Sequence, residues 1–264
     1  MKVQQLFDVQ GDVTFITGGA RGMGQAFAEV MAANGARIAL YDIDGPALEE
    51  AAAELRATGA EVITTQGDVA DSPALRAAVD ATVAHWGKLD SVFANAGMSA
   101  GRGYALSEAG RLEAVDLATW ERVLQVNLTS VMVTMQAATP HMKAQRSGRM
   151  IVNSSVGGLR VEPQVGYGYS ATKSAIAHIV RHAALELAPW NILVNCVAPG
   201  AFRTNLGSGR LNDPAVAKIF EDMSPLKRIA SLEEFKGLML LLASPASSFM
   251  TGTVIPIDGG AMVI

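Results

Sequence analysis

The stretch Val13-Thr14-Phe15-Ile16-Thr17-Gly18-Gly19-Ala20-Arg21-Gly22-Met23-Gly24 constrains the fold of this chain more than any other. Its first half is an apolar, β-branched run of strand type. Its second half puts glycine at 18, 22 and 24, and a helical pattern follows. Glycine tolerates positive φ and lets a ligand come close to the backbone. A helix that starts there aims unpaired N–H groups and a partial positive charge at whatever lies over the turn. A pyrophosphate suits that geometry. The same glycines would also serve a tight turn with no ligand. Their position between a strand and a helix, at the start of a repeating β–α chain, favours the phosphate. No Gly-Lys-Ser/Thr follows, so the loop is not of the P-loop kind.

Beyond the loop, short apolar runs alternate with helical stretches. Strands are expected at 13–17, 37–41, 61–65, 91–94, 149–153, 192–197 and 254–257. Several are apolar on both faces, as in strands buried between helix layers. Asn34-Gly35, Thr58-Gly59 and Trp86-Gly87 read as helix stops. Pro46 suits a first helical turn, and Ser72-Pro73 reads as a cap with a first-turn proline. The alternation predicts right-handed crossovers, a parallel sheet and helices on both faces, in one domain spanning 1–264. Two stretches break the rhythm, 98–116 and 201–226. Both follow strands, so both should lie at the carboxyl edge of the sheet, where ligands bind in such folds.

At 264 residues, half of them hydrophobic, the chain can bury a sizeable core. Its net charge is −4 with no basic stripe, which argues against a nucleic-acid partner. No apolar run nears the ~20 residues of a membrane span. The N-terminal residues lack a signal-peptide core, so a cytoplasmic location is expected. The one cysteine, Cys196, sits in an apolar run and is expected to be buried and unpaired. No metal ligands are predicted.

Asp42 closes the second strand, where a carboxylate can accept hydrogen bonds from an adenosine ribose and repel a 2′-phosphate. With Ile43 beside it, this favours NAD over NADP, although Arg21 in the glycine loop is a countersign. Asp68-Val69 and Asn95-Ala96-Gly97, after the third and fourth strands, are candidates to border the cofactor. Tyr169 and Lys173 stand four apart at the start of a helix and share a face. A phenol titrates near ~10, and a neighbouring ammonium lowers that value, which makes a proton acceptor usable near neutral pH. Tyr167 has no lysine at that spacing. Ser154 and Ser155 end the fifth strand, and Ser155 is the preferred partner for a substrate oxygen.

The glycine stretch, Asn95-Ala96-Gly97, Asn127, Ser155, Tyr169–Lys173, Pro199-Gly200, Thr251-Gly252 and Asp258-Gly259-Gly260 together resemble the short-chain dehydrogenase/reductase family over nearly the whole chain. The resemblance implies an α/β, single-domain, Rossmann-type doubly wound seven-stranded parallel sheet. It implies Tyr169 as general acid/base, Lys173 as binder of the nicotinamide ribose, Ser155 as the substrate-oxygen partner and Asn127 as part of a water-linked proton relay. It also implies that the segment 199–204, with Pro199, Gly200, Phe202 and Thr204, covers the nicotinamide, and that the protein is a homotetramer with its tail near an interface. The sequence departs from the family pattern in a serine-to-tyrosine separation one residue longer and in Asn191-Ile192-Leu193 before the sixth strand.

The expected activity is NAD-dependent interconversion of a secondary alcohol and a ketone. The alternatives are an NADPH-dependent 3-oxoacyl reductase and a non-catalytic dinucleotide-binding protein. An enoyl reductase would space tyrosine and lysine more widely. The expected substrate wall is mostly apolar: Met98, Tyr104, Gly157, Leu159, Val161, Phe202, Leu206 and Met223. Arg102, Arg160, Arg203 and Arg210 fall in the same loops as candidate clamps for an anionic group.

Overall fold

The computed structural model describes residues 2–204, 211 and 213–263. Seven parallel strands, β1 (Val13–Thr17), β2 (Arg37–Asp42), β3 (Val62–Gln66), β4 (Ser91–Ala94), β5 (Gly148–Asn153), β6 (Ile192–Pro199) and β7 (Val254–Ile257), form one sheet in the order 3-2-1-4-5-6-7. The order reverses between β1 and β4, whose register pairs Thr14 with Ser91 and Ile16 with Phe93. A crevice opens at the carboxyl ends of strands flanking such a reversal.

Eight longer helices cover the sheet among the described residues: α1 (Gly22–Ala33), α2 (Gly45–Ala57), α3 (Ser72–Trp86), α4 (Leu117–Leu124), α5 (Ser130–Gln145), α6 (Tyr167–Leu187), α7 (Pro214–Asp222) and α8 (Glu233–Ala243). Strand alternation splits the core. Phe15, Tyr41 and Val152 pack with Leu75, Met142 and Ile176 from α3, α5 and α6. Ile16, Leu40 and Ile151 pack with Phe27, Leu48 and Phe235 from α1, α2 and α8. Both faces are thereby kept from water, so β1 is buried along its whole length.

Local chemistry explains the ends. Pro46 lies in the first turn of α2, with the Asp44 carboxylate capping Ala47 N–H. At α3 the cap is Asp71, not Ser72. Its carboxylate accepts from Ala74 N–H at 3.0 Å, and Ser72 is already helical. A carboxylate facing the unpaired first-turn N–H groups is stabilised by the helix dipole. Gly87 ends α3 in the left-handed region. Asn191, at the departure noted before the sixth strand, takes φ 57°. Asparagine tolerates that region better than most side chains, so the change is absorbed locally. Cys196 is buried in β6. Among the described residues, no helix is long and apolar enough to cross a membrane.

Candidate active site

The glycine loop joins β1 to α1 at the strand reversal. Gly18 and Gly22 have φ of 66° and 58°, and Arg21 precedes the first helical residue. Asn95, from the end of β4, holds the loop. Its Nδ2 donates to the Thr17 and Gly18 carbonyls at 3.0 and 3.1 Å, while Thr17 Oγ1 accepts from Asn95 and Ala96 N–H. Gly24 lies so close that a Cβ there would stand 2.0 Å from the Gly18 carbonyl oxygen. A Cβ at Gly22 would meet nothing nearer than Thr204 at 3.7 Å, which leaves open space above the loop.

A cavity of about 390 Å³ fills the crevice. Its wall includes Gly18, Arg21, Gly22, Met23, Asp42, Asn95, Ala96, Gly97, Ser155, Tyr169, Lys173, Pro199, Gly200, Phe202 and Thr204, all singled out from the sequence. Other residues named from the sequence lie outside that wall. Gly24 stands behind the loop. Ile43 points to solvent, 61% exposed. Asp68 is joined to Arg122 at 2.6 Å and to Ala70 N–H. Partial burial alone would raise its carboxyl, but those two partners hold it below the usual range. Val69 belongs to the core. Met98 packs against the core, and Gly157 and Leu159 are not part of the wall. Leu206 and Arg210 lie outside the described residues.

Asn127 is also away from the wall. The helical backbone from α4 into α5 passes through a π turn over Gln125–Thr129, and this turn delivers Asn127 to a fully buried position. Such turns re-aim one side chain without ending a helix. Both ends of its amide serve Met98: Oδ1 accepts from the Met98 N–H at 2.7 Å, and Nδ2 donates to the Met98 carbonyl at 2.9 Å. The side chain thus fixes the strand-to-loop exit beside Lys173.

The end of β5 and the start of α6 build the reactive corner. Ser154 Oγ donates to the Lys173 carbonyl at 2.7 Å, and Lys173 Nζ donates to the Asn153 carbonyl at 2.6 Å. Gly158 lets the α6 backbone press on the turn after Ser155, because a Cβ there would stand 2.5 Å from the Lys173 carbonyl carbon. Ser155 Oγ accepts from Gly157 N–H at 3.1 Å, so its own proton remains for a ligand. Ser154 is committed to the helix, which separates the two serines. Lys173 Nζ lies 5.6 Å from the Tyr169 ring centroid. Burial without a carboxylate partner disfavours its charge and lowers its pKa to about 8.

The wall residues that escaped the sequence reading include Asn153, Glu162 and Phe220. Asn153 donates from Nδ2 to Asn95 Oδ1 at 2.9 Å, and its own Oδ1 is buried with no partner among the described residues. Glu162 is 9% exposed although charged. A charge in the 155–169 connection was the only available signal. Three of the four candidate clamps fall among the described residues. Arg160 pairs with Glu162 at 3.6 Å and donates to the Ala261 carbonyl. Arg102 and Arg203 are exposed and lie outside the wall. Tyr104 and Val161 are also exposed, 46% and 80%, so neither forms an apolar wall. Met223 lines a second cavity behind the first.

A family model described as enoyl-(acyl carrier protein) reductase matches residues 18–262. The cyclohexanol dehydrogenase of Rhodococcus sp. (strain TK6) is 36% identical, over 96% of this chain and 96% of that protein. The trans-4-hydroxycyclohexanecarboxylate dehydrogenase of Sinomonas cyclohexanicum is 37% identical, over 94% and 92%. Among solved structures, levodione reductase superposes with a TM-score of 0.89 at 32% identity, over 97% of this chain and 99% of the other; a curated protein of that name, from Leifsonia aquatica, is 32% identical over 94% of this chain and 93% of its own.

Proposed function

The chain belongs to the short-chain dehydrogenase/reductase family, and we propose that it is an NAD-dependent oxidoreductase interconverting a secondary alcohol and a ketone. The observation that carries this reading is the corner where Ser155, Tyr169 and the buried Lys173 share one cavity with the glycine loop. The relatives named for cyclohexanol and levodione support the alcohol and ketone class. An enoyl substrate is less compatible with tyrosine and lysine only four residues apart.

The residues fit a nicotinamide dinucleotide. The open space above Gly22 is what a phosphate needs, and the buried Asn153 Oδ1 offers an acceptor within the same wall. Gly18, Arg21, Gly22 and Met23 would hold the pyrophosphate end. Asn95, Ala96, Lys173 and the segment 199–204 would hold the nicotinamide end. Asp42 would take the adenosine ribose. It lines the cavity and caps Ala20 N–H at 3.0 Å. Among the described residues, Arg21 is the wall cation placed to welcome a 2′-phosphate there, and it pairs with Asp44 at 3.4 Å. Both sides of that pair are about half exposed, so its energy is small, and the preference for NAD rests mainly on the Asp42 carboxylate.

When bound, the cofactor supplies the hydride acceptor for oxidation and the donor for reduction. The chain's own groups move the proton. In oxidation, Tyr169 Oη takes the hydroxyl proton of the substrate while Ser155 Oγ donates to the same oxygen and stabilises its developing charge. The Lys173 ammonium favours the phenolate form of Tyr169. Because its own pKa lies near 8, Lys173 can also give up and regain a proton close to neutral pH. Asn127 holds the backbone at Met98 in place beside it.

We take the whole chain as one binding and catalytic unit, a protomer of a cytoplasmic homotetramer, which light scattering would check. The activity test follows reduced-cofactor absorbance over a panel of secondary alcohols with NAD and with NADP. Tyr169→Phe is expected to lose at least about a hundredfold in kcat while still binding NADH. Near-normal turnover in that variant would overturn the assignment. A preference for NADPH with a carrier-linked 3-oxoacyl thioester would favour the reductase alternative instead.

A further inference from the structure

We propose that Asn153 is a cofactor-positioning residue: its side-chain oxygen accepts a hydrogen bond from the nicotinamide half of the bound dinucleotide, and its other polar groups tie that half to the glycine loop and to Lys173. The inference rests on the oxidoreductase reading of the same cleft and deepens it.

A chain of hydrogen bonds carries the argument. Asn153 is the last residue of β5, in register with Val197 of β6, and it lies in the cavity wall at 9% exposure. Asn95 Nδ2 donates to two main-chain carbonyls, those of Thr17 and Gly18. A carbonyl only accepts, so the Asn95 amide has one orientation, and its Oδ1 is the atom turned toward Asn153. The atom that meets it at 2.9 Å must then be the donor, Asn153 Nδ2. The same Nδ2 lies 3.6 Å from Sδ of Met23, in the first turn of α1. Asn153 Oδ1 is thereby left on the other arm of the amide, buried and with no partner among the described residues.

A buried amide oxygen left unpaired is costly, so a group in this state at a cavity wall calls for a donor from outside the chain. Pyrophosphate oxygens only accept and cannot serve. The donors of the dinucleotide are the hydroxyls of its two riboses, the adenine amino group and the ring carboxamide N–H. Strand order separates them. Asp42, the residue for the adenosine ribose, ends β2, and β5 lies three strands away, a span of about 14 Å at ~4.8 Å per strand. A dinucleotide with its adenosine at Asp42 therefore brings its nicotinamide half to Asn153. The shared chemistry there is a hydroxyl or amide N–H donor. The main-chain carbonyl of Asn153 also accepts from Lys173 Nζ at 2.6 Å. One residue thus reaches the glycine loop through Asn95, the proton-handling lysine through its carbonyl, and the cofactor through Oδ1. Seating the nicotinamide half completes the unpaired oxygen and fixes the backbone that holds the ammonium.

The experiment measures calorimetric binding of NADH, ADP-ribose and ADP to the wild type and to Asn153→Leu, which keeps a similar volume and removes the acceptor. ADP-ribose lacks the nicotinamide ring, and ADP lacks the second ribose as well. NADH affinity should fall about tenfold, which is about 1.4 kcal/mol, while ADP affinity should stay within about twofold. A parallel fall for ADP-ribose would put the donor on the ribose, and a fall for NADH alone would put it on the carboxamide; both support the proposal. If Asn153→Leu does not fold, Asn153→Ala serves instead, with the same pattern expected. Equal losses for NADH and ADP would mean that Asn153 only braces the glycine loop through Asn95. Unchanged NADH affinity would mean that water alone completes Oδ1. Either result overturns the proposal. A wild type that binds neither NADH nor ADP would remove the dinucleotide reading itself, and the proposal with it.

Discussion

Alanine at Gly24 and alanine at Gly22 should fail for different reasons, and the contrast tests how the loop is built. At Gly24 the new methyl would stand 2.0 Å from the Gly18 carbonyl oxygen and 2.8 Å from Asn95 Nδ2. Neither neighbour can yield cheaply. The first is backbone, and the second makes two hydrogen bonds that hold β1 to β4. Losing both bonds costs about 1 kcal/mol each, and the overpacking adds about 1–3 kcal/mol. The gain in helix propensity returns about 1 kcal/mol. The net loss of roughly 2–4 kcal/mol should lower Tm by about 6–12 °C in a chain of this size. At Gly22 the methyl meets only open space, but φ is 58°. That strain costs about 1 kcal/mol and should lower Tm by about 2–4 °C. Its methyl stands where the phosphates are expected, so NADH affinity should fall at least about a hundredfold in a protein that remains folded. Thermal unfolding without ligand and fluorescence titration with NADH separate the two. A Gly24→Ala protein that melts within about 1 °C of wild type, or a Gly22→Ala protein that binds NADH normally, would refute this account.

Lys173 gives a pH-dependent prediction. Its folded pKa, about 8, lies below the ordinary 10.5, so between those values the unfolded chain holds a proton that the folded one has lost. The burial cost is therefore fully present below pH 8 and is relieved as pH rises toward 10.5; wild type should gain about 2–3 kcal/mol relative to Lys173→Met between pH 7.5 and 10. Denaturant melts of both proteins across that range check the sign, and a flat difference would mean that the ammonium is solvated. Cys196 is buried and its thiol is pushed up to about 11 by burial, so disulfide reagents should label it only as fast as the protein unfolds; labelling within seconds in native buffer at pH 8 would contradict the packing around β6.

What the sequence made legible was local. The central strands β1, β2, β4 and β6 are largely apolar runs covered on both faces, so period and position suffice to find them. The expected strands at 13–17, 91–94 and 254–257 coincide with β1, β4 and β7, and the others shift or extend by one or two residues. The Tyr169/Lys173 pair is likewise legible, because four residues of helix place both on one face whatever surrounds them. The misreadings are all non-local. Ser72 loses the cap to Asp71, which only the turn after β3 decides. Arg160 reads as a clamp until the chain brings it to Glu162 and to a carbonyl of the C-terminal turn. Asp68 reads as a cofactor contact until Arg122, from α4, takes its carboxylate.

The same distinction explains why the reactive corner is built on the least favourable residue in it. A lysine buried without a carboxylate partner destabilises the fold, and evolution toward stability alone would replace it. Here one of its three protons goes to the Asn153 carbonyl, while its own backbone carbonyl accepts from Ser154 Oγ. The two bonds cross-link β5 and α6 from opposite directions and fix the ammonium against Tyr169. Pairing Lys173 with an acid would recover stability but would hold the ammonium at an ordinary or raised pKa and screen the phenol from it. Burial with backbone acceptors alone keeps the charge near its balance point at physiological pH. In the proposed mechanism, the stability lost in the core is thus the physical condition for a tyrosine that can take a proton.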